Sequence, residues 1–210
     1  TEDVELLKSG LADLATILTP VEAGSGGGYQ QDGLYIYHGK FPYSSGYGIN
    51  QAVSLVKYID LYNGTSLGFE NEYKNVLIDY IEKSYYPILH NGRAQIMFGG
   101  RNITSVDDIY SGFQVIRTSL YLIGMFGPDE DLRLKQMIRK HIDDSNRNYV
   151  LNMLTIDLIG KLEDILTDVS IPSLPADYHD CRVYWTGDRV VQKRQGYSVG
   201  IAMSSRRTGN

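Results

Sequence analysis

The chain has 210 residues, of which 42% are hydrophobic and 21% are charged, values of an ordinary soluble globular protein that exclude a disordered chain or a coiled coil. Its formal net charge of -5 at pH 7 excludes a general basic field, so we expect no nucleic acid partner. The single cysteine, Cys181, excludes an internal disulfide framework and is expected to be a small buried residue. No apolar run is long enough to span a membrane, so we expect no membrane partner.

The first two thirds of the chain is predicted to be helical. Apolar residues recur at every third or fourth position over residues 4–18, which predicts an amphipathic helix that Pro20 ends. The segment 24–48 is rich in Gly, Tyr and Ser and predicts one long ordered loop. Further helical patterns cover residues 51–62, 72–89, 106–126, 129–142 and 148–166, and residues 90–105 are irregular.

The pattern changes near residue 170, after which apolar residues alternate with other residues. The alternating residues are Cys181, Val183, Trp185, Tyr197, Val199, Ile201 and Met203. This period of two is typical of β-strands, and Gly187 and Gly196 stand where turns are expected. Trp185 either anchors a core or stacks on a sugar. The sequence therefore predicts a helical region followed by the beginning of a β-sheet.

Titratable and aromatic residues are concentrated in the segment DGLYIYHGKFPYSSGYG, residues 32–48, which holds His38 and four of the 17 tyrosines. On residue types alone, His38 is either a functional group on a loop or a histidine satisfied by backbone groups in a glycine-rich turn. The remaining histidines have no partner at metal-ligand spacing, so we expect no metal site and no cofactor. These histidines are His90, His141 and His179.

Three blocks of the sequence resemble polysaccharide lyase family 8. The pattern DG-aromatic-x-x-HG followed by SGYG resembles the catalytic loop of the family, with its matching positions at Asp32, Gly33, His38, Gly39 and Tyr47. The block GGRNITS resembles the Gly-Arg-x-Ile-Ser-Arg element, with Arg101 on the first arginine and Ser105 in place of the second. Residues 183–210 resemble the passage into the central β-domain.

The resemblance implies a mainly α fold, an incomplete α/α toroid of helical hairpins followed by the first strands of an antiparallel β-sandwich domain. Residues 1–170 would form the C-terminal part of the toroid catalytic domain, and residues 171–210 the linker and the start of the β-sheet domain. We expect the hairpins to bring the segment 24–48 and Arg101 to the same groove.

The resemblance also implies a reaction, β-elimination at a uronic acid, in which the C5 proton is removed and the C4 oxygen leaves. Tyr47 would protonate the leaving oxygen, and the base stays open between Tyr47 and His38. A phenolate needs neighbouring positive charge, which Arg101 would supply. The family also uses an asparagine before this region and a glutamate after it, and neither position lies in the 210 residues. We therefore expect the isolated chain to be weak or inactive, with the N- and C-terminal parts of the same enzyme as partners.

The substrate implied by the resemblance is an acidic polysaccharide of the hyaluronan or chondroitin type. Because Ser105 replaces an arginine, a xanthan side-chain lyase of the same family is an alternative. A second alternative is a non-catalytic carbohydrate-binding helical module whose tyrosines stack on sugars. The N-terminal residues lack the basic start and apolar centre of a signal peptide. The resemblance implies a secreted bacterial protein with its signal peptide outside this chain.

Overall fold

The fold was analysed in a computed structural model that describes residues 3–22, 26–101, 108–143, 147–172, 174 and 180–208. Its α-helices are α1 (Val4–Thr16), α2 (Ile49–Tyr62), α3 (Asn71–Tyr80), α4 (Asp108–Leu122), α5 (Pro128–Asp143), α6 (Arg147–Met153) and α7 (Ile156–Thr167). There are two π-helical turns in the described residues. The first, Ser44–Gly48, directly precedes α2, and the second, Ile81–Tyr85, directly follows α3. The predicted helical segments are confirmed, with two exceptions. The last one is divided between α6 and α7, and the prediction for residues 72–89 is wrong at its C-terminal end, where the helical turns stop at Tyr85 and Leu89 lies in a strand.

Local sequence signals account for where several helices begin and end. The carboxylate of Asp3 caps α1 by accepting a hydrogen bond from the Leu6 amide at 3.0 Å. Helix α5 begins at Pro128, has three acidic residues in its first turn, and carries Lys140 and His141 in its last. The acidic residues and Lys140 complement the helix dipole at the two ends, whereas His141 is buried.

Helix α4 lies at the centre of the helical layer and packs against α2, α5 and α7. Val115 and Leu122 on α4 belong to a core shared with α2, α3 and the segment 28–48. Phe113, Ile116 and Leu120 on the same helix belong to a second core shared with α5, α6 and α7. Because α4 is buried on two sides, its apolar residues extend beyond the single stripe of a surface helix.

The segment predicted as one long loop is instead a small antiparallel meander, so that prediction is wrong. It contains β1 (Gly28–Tyr29), β2 (Tyr35–Tyr37) and β3 (Phe41–Pro42), with Tyr29 opposite Tyr35 and Ile36 opposite Pro42. The strands are only two or three residues long, which is too short for a period of two to be recognisable in the sequence. The meander continues into the first π-turn and α2.

A second short hairpin lies where the predicted helix of residues 72–89 meets the stretch that was predicted to be irregular. Strands β4 (Leu89–His90) and β5 (Arg93–Ala94) pair in antiparallel fashion around Asn91 and Gly92. Both turn residues have positive φ, 50° and 71°, as a type I′ turn requires. A short 3₁₀-helix, Ile96–Phe98, leads from this hairpin toward Arg101.

The C-terminal residues form the predicted antiparallel sheet, with strands β6 (Asp180–Tyr184), β7 (Arg189–Arg194) and β8 (Tyr197–Ala202) in that order. One face packs on the helical layer, where Tyr184 and Val191 enter the core. The Tyr184 hydroxyl donates to the Lys83 carbonyl at 2.8 Å, and Lys193 Nζ donates to the Tyr86 carbonyl at 2.5 Å. The predicted fold class, helices followed by antiparallel strands, is confirmed.

The other face of this sheet is exposed and carries most of the residues whose alternation predicted the strands. Val183, Val199 and Ile201 are about half exposed, and so is Trp185, which therefore does not anchor a core. Cys181 is exposed as well, so the expectation that it is buried is wrong. The alternation identified the strands correctly, but here it marks the outer face of the sheet.

Candidate functional site

His38 lies at the tip of the β2–β3 hairpin. Tyr37 pairs with Phe41, and the connecting residues His38 and Gly39 both have positive φ, 50° and 83°. Positive φ is uncommon for a residue other than glycine, although histidine is among those that adopt it more often. The turn leaves the imidazole exposed to solvent rather than enclosed by backbone groups.

Tyr47 lies in the first π-turn, immediately before α2. The Tyr35 amide donates to Ser44 Oγ at 3.0 Å, the Ser111 hydroxyl to the Ser45 carbonyl at 2.7 Å, and the Tyr29 hydroxyl to the Gly48 carbonyl at 3.1 Å. The turn is therefore held from the meander and from α4, while the Tyr47 side chain stays 44% exposed. Wide turns of this kind are rare and occur frequently at functional sites.

Arg101 follows two glycines that bring the backbone against Tyr43. Gly100 has a φ of 59°, and a Cβ atom placed on it would stand 1.6 Å from the Tyr43 ring. Only glycine fits this position, because the conformation is left-handed and the ring occupies the space of a side chain. The close approach places the exposed Arg101 beside the β2–β3 hairpin.

His38 and Arg101 are joined by a hydrogen bond, with 3.0 Å between Arg101 Nη2 and His38 Nε2. A guanidinium group can only donate, so Nε2 must accept. The tautomer assigned from this contact has its proton on Nδ1. In this arrangement the Nδ1–H group is the donor that His38 can offer to another molecule, and its Nε2 lone pair is already occupied.

Three tyrosine rings, those of Tyr37, Tyr43 and Tyr47, lie beside His38. The ring centroid of Tyr47 lies 5.5 Å from that of His38, 4.6 Å from that of Tyr37 and 4.9 Å from that of Tyr43. The structure thus brings the three predicted site residues, His38, Tyr47 and Arg101, into one cluster. Tyr37 is 38% exposed and adds to the exposed surface of the cluster, whereas Tyr43 is buried and packs against the cluster from the protein interior.

Asp32 and Gly33, which belong to the same sequence pattern, have a structural role. The Asp32 carboxylate accepts from the Leu34 amide at 3.0 Å and from the Thr186 amide and hydroxyl, both at 2.8 Å. Gly33 has a φ of 90° and packs on the backbone of Lys83. Asp32 therefore fastens the meander to the turn between β6 and β7, and Gly33 packs it against the second π-turn.

Tyr37 and Tyr43 are members of the cluster that the sequence did not single out. Their position in the segment 32–48 could have indicated a functional role. The chain has 17 tyrosines, however, and no sequence feature separated these two from the others. Ser105 and His179 lie outside the described residues. In the described part of the chain, no group of three or more His, Cys, Asp or Glu side chains could hold a metal ion, and no helix is long and apolar enough to cross a membrane.

The chain is similar to known proteins over most of its length. Residues 1–140 match the profile of polysaccharide lyase family 8, N terminal alpha-helical domain. The polysaccharide lyase 8 family protein HylA of Enterococcus faecalis is 29% identical over 197 residues, which cover 89% of this chain and 14% of that protein. A hyaluronate lyase of Thermasporomyces composti is 25% identical over 205 residues, which cover 96% of this chain and 26% of that protein.

Among solved structures, that of Paenibacillus xanthan lyase superposes with a TM-score of 0.92 at 25% sequence identity. The superposition covers 100% of this chain and 20% of the xanthan lyase chain. The present chain thus spans between 14% and 26% of the length of these three proteins.

Proposed function

Because this chain belongs to polysaccharide lyase family 8, we propose that the protein cleaves an acidic polysaccharide of the hyaluronan or chondroitin type by β-elimination at a uronic acid. The observation that carries the proposal is the cluster in which Arg101 contacts His38 beside the exposed Tyr47. The three side chains come from three separate segments, yet they meet at one exposed place.

In the proposed reaction, the Tyr47 phenolate removes the proton from C5 of the uronic acid. The electron pair left on C5 forms the C4–C5 double bond, the bond between C4 and its oxygen breaks, and the Tyr47 phenol returns the proton to that oxygen. The unsaturated uronate and a free hydroxyl are the products. One phenol can serve both steps when the C5 proton and the C4 oxygen lie on the same face of the sugar.

The contact between His38 and Arg101 favours Tyr47 over His38 as the base. A general base needs a free lone pair, and the Nε2 lone pair of His38 already accepts from Arg101. His38 would instead donate from Nδ1 to the uronate carboxylate, on which charge develops in the transition state. Arg101 would contribute the positive charge that stabilises the phenolate.

Sugar binding is assigned to Tyr37 in the same proposal. Its ring is 38% exposed and lies beside both Tyr47 and His38. An exposed aromatic face next to the reacting groups can pack on the apolar face of a pyranose ring. Tyr43 is 2% exposed and is therefore left as a support for the cluster.

Xanthan is the second candidate substrate, because the superposition on the Paenibacillus xanthan lyase covers the whole chain. Incubation of the complete protein with hyaluronan, chondroitin and xanthan separates the candidates, since an unsaturated uronate absorbs in the ultraviolet. Product from hyaluronan or chondroitin supports the main proposal, and product from xanthan alone supports the second. A carbohydrate-binding module without catalysis would bind polysaccharide and form no unsaturated product.

Tyr47→Phe in the complete protein tests the mechanism. We expect turnover to fall by about 100- to 10,000-fold, the usual contribution of a general acid or base, with polysaccharide binding nearly unchanged. Tyr58→Phe is the matched control, because Tyr58 is also 44% exposed but lies on α2 outside the cluster. A Tyr47→Phe enzyme that forms unsaturated product at a rate near that of the unmodified protein would contradict the proposed role.

The proposal extends to the location and organisation of the protein. Polysaccharides of the hyaluronan or chondroitin type lie outside cells, so the protein would be secreted. The relatives described above come from bacteria. The division into a helical domain of residues 1–170 and a β-region of residues 171–210 is supported by the change from α7 to β6. Detection of the protein in the culture medium of its source organism, and not in washed cells, would test secretion.

A further inference from the structure

Residues 203–208 follow β8 and form a turn, the 203–208 turn, that folds back onto the connection between β6 and β7. Asp188 in that connection is only 7% exposed, and its carboxylate accepts hydrogen bonds from the Ser205 hydroxyl and from the Arg207 guanidinium. The Asp188 carbonyl accepts a further hydrogen bond from the Met203 amide at 2.9 Å. The 203–208 turn is therefore fixed at a buried carboxylate.

The 203–208 turn meets the β2–β3 turn, which carries His38. Lys40 follows His38 by two residues in the β2–β3 turn, and its Nζ donates to the Arg206 carbonyl at 3.2 Å. Because this contact uses the backbone of Arg206, it leaves the Arg206 side chain free to bind another molecule. That side chain belongs to an exposed residue. The structure thus presents a guanidinium group beside the turn that carries His38.

The 203–208 turn is also connected to the segment that leads to Arg101. Arg189, at the start of β7, donates from Nη1 to the Met203 carbonyl at 3.1 Å and from Nε to the Met97 carbonyl at 3.4 Å. Met97 lies in the 3₁₀-helix that precedes Arg101. The position of the 203–208 turn is therefore fixed relative to two of the three segments that build the cluster.

Positive charge collects where these segments meet. The charge of Arg207 is balanced by Asp188, whereas Lys40, Arg101 and Arg206 form no ion pair with a carboxylate of the described residues. The chain as a whole has a net charge of -5, so an acidic polymer is attracted only where cations are concentrated. The edge of the cluster at the 203–208 turn is such a place.

We propose that Arg206 binds an acidic group of the polysaccharide next to the uronate that reacts at Tyr47, and that Lys40 holds the 203–208 turn in position for this contact. The inference rests on the proposed function, to which it adds a specificity-determining residue. A guanidinium group matches a carboxylate or a tetrahedral oxyanion through two parallel hydrogen bonds, so a uronate or a sulfate group fits. A contact that is equally strong in the ground state and the transition state changes KM rather than kcat.

Arg206→Gln in the complete protein tests the proposal. We expect KM for the polysaccharide to rise about tenfold, as for the loss of one charge-assisted contact, and kcat to change much less. Lys57→Gln is the matched control, because it removes one exposed cation from α2, outside the cluster, and should leave KM unchanged. The urea midpoint should stay the same in both variants. An equal rise of KM in both would show an effect of net charge only and would overturn the proposal.

Hyaluronan, unsulfated chondroitin and chondroitin sulfate identify the acidic group. An effect of Arg206→Gln on all three assigns a carboxylate to Arg206, and an effect on chondroitin sulfate alone assigns a sulfate. No effect on any of them would overturn the proposal. If the unmodified protein cleaves none of them, the proposed function fails, and the Kd for hyaluronan oligosaccharides, measured by isothermal titration calorimetry, then tests Arg206 by itself. A Kd about tenfold higher in Arg206→Gln supports the contact, and an unchanged Kd contradicts it.

Discussion

At the scale of single residues, the candidate site depends on backbone conformations that few side chains tolerate. His38 and Gly39 have positive φ in the β2–β3 turn, and Gly100 has positive φ directly before Arg101. The first turn exposes the imidazole, and the second brings the guanidinium within hydrogen-bonding distance of it. Substitutions at the glycines therefore act on the geometry of the site without removing a functional group.

Gly100→Ala and Gly39→Ala form a matched pair that separates backbone strain from steric overlap. Both glycines have positive φ, but a Cβ at Gly100 would overlap the Tyr43 ring, whereas a Cβ at Gly39 would meet nothing within 4 Å. We expect Gly39→Ala to lower the free energy of unfolding by about 1–2 kcal/mol, the cost of a left-handed residue. Gly100→Ala should lower it by about 1–3 kcal/mol more because of overpacking.

Urea denaturation of both variants measures this difference. Gly100→Ala should also reduce turnover of the complete protein, because relief of the overlap moves either Tyr43 or Arg101. Equal destabilisation by the two substitutions would contradict the contact between Gly100 and Tyr43.

His141 predicts how stability depends on pH. Burial, followed by the charges of Lys193, Lys140 and His90, lowers the pKa of His141 well below its usual range. In the unfolded chain this histidine takes up a proton near pH 6.5, while in the folded chain it stays neutral. The unfolded state then binds more protons, so the free energy of unfolding falls as the pH drops below about 6.5, by up to about 1.4 kcal/mol per pH unit.

His141→Leu should remove this part of the pH dependence. The measurement is the free energy of unfolding between pH 7.5 and pH 5.5 in chloride buffers that contain no oxyanion. Met137→Leu is the control, because it changes a buried side chain on the same helix without removing a titratable group and should keep the slope of the unmodified chain. A His141→Leu variant with an unchanged slope would mean that another group causes the effect.

At the scale of secondary-structure elements, the meander is fastened to the turn between β6 and β7. Asp32 accepts two hydrogen bonds from Thr186, and Gly187 in the same turn packs so closely on Leu34 that a Cβ would stand 2.2 Å from its Cδ2. The hairpin that carries His38 and the first strands of the β-sheet therefore hold each other in position.

A double-mutant cycle of Asp32→Ala and Thr186→Val measures this connection. Asp32→Ala should lower the free energy of unfolding by about 2–4 kcal/mol, because hydrogen bonds to a charged acceptor contribute more than neutral ones. Thr186→Val keeps the amide donor and should cost about 1 kcal/mol. We expect the two effects to be less than additive in urea denaturation, and full additivity would show that the residues act independently.

The elements that could be predicted from sequence are those with a long local period. The apolar repeats of α1 and α2 and the alternation in β6 and β8 each extend over several residues and identify their elements. The meander and the two π-turns could not be predicted, because they are short and are held by distant partners such as Ser111 on α4. For the same reason, the sequence pattern indicated His38, Tyr47 and Arg101 but not the supporting contact of Gly100 with Tyr43.

At the scale of the whole molecule, the described residues cover the β-sheet on one face only. The inner face contributes Tyr184 and Val191 to the helical core, and both are nearly inaccessible to solvent. The outer face carries a group of half-exposed apolar side chains, and in the described residues β8 pairs on one side only. The exposed residues are Val183, Trp185, Tyr197, Val199, Ile201 and Met203. An apolar sheet face beside an open strand edge favours association between chains.

We therefore expect the 210-residue chain to self-associate as its concentration rises, and the double substitution Val199→Thr with Ile201→Thr to reduce this association. Threonine keeps the β-branched shape that suits a strand, so the free energy of unfolding should change by less than about 1 kcal/mol. Val191→Thr makes the same chemical change on the buried face and should cost about 1–3 kcal/mol without reducing association. Sedimentation velocity over a concentration series, together with urea denaturation, distinguishes the two faces. If the outer-face variant associated as strongly as the unmodified chain, contacts elsewhere on the molecule would have to cause the association.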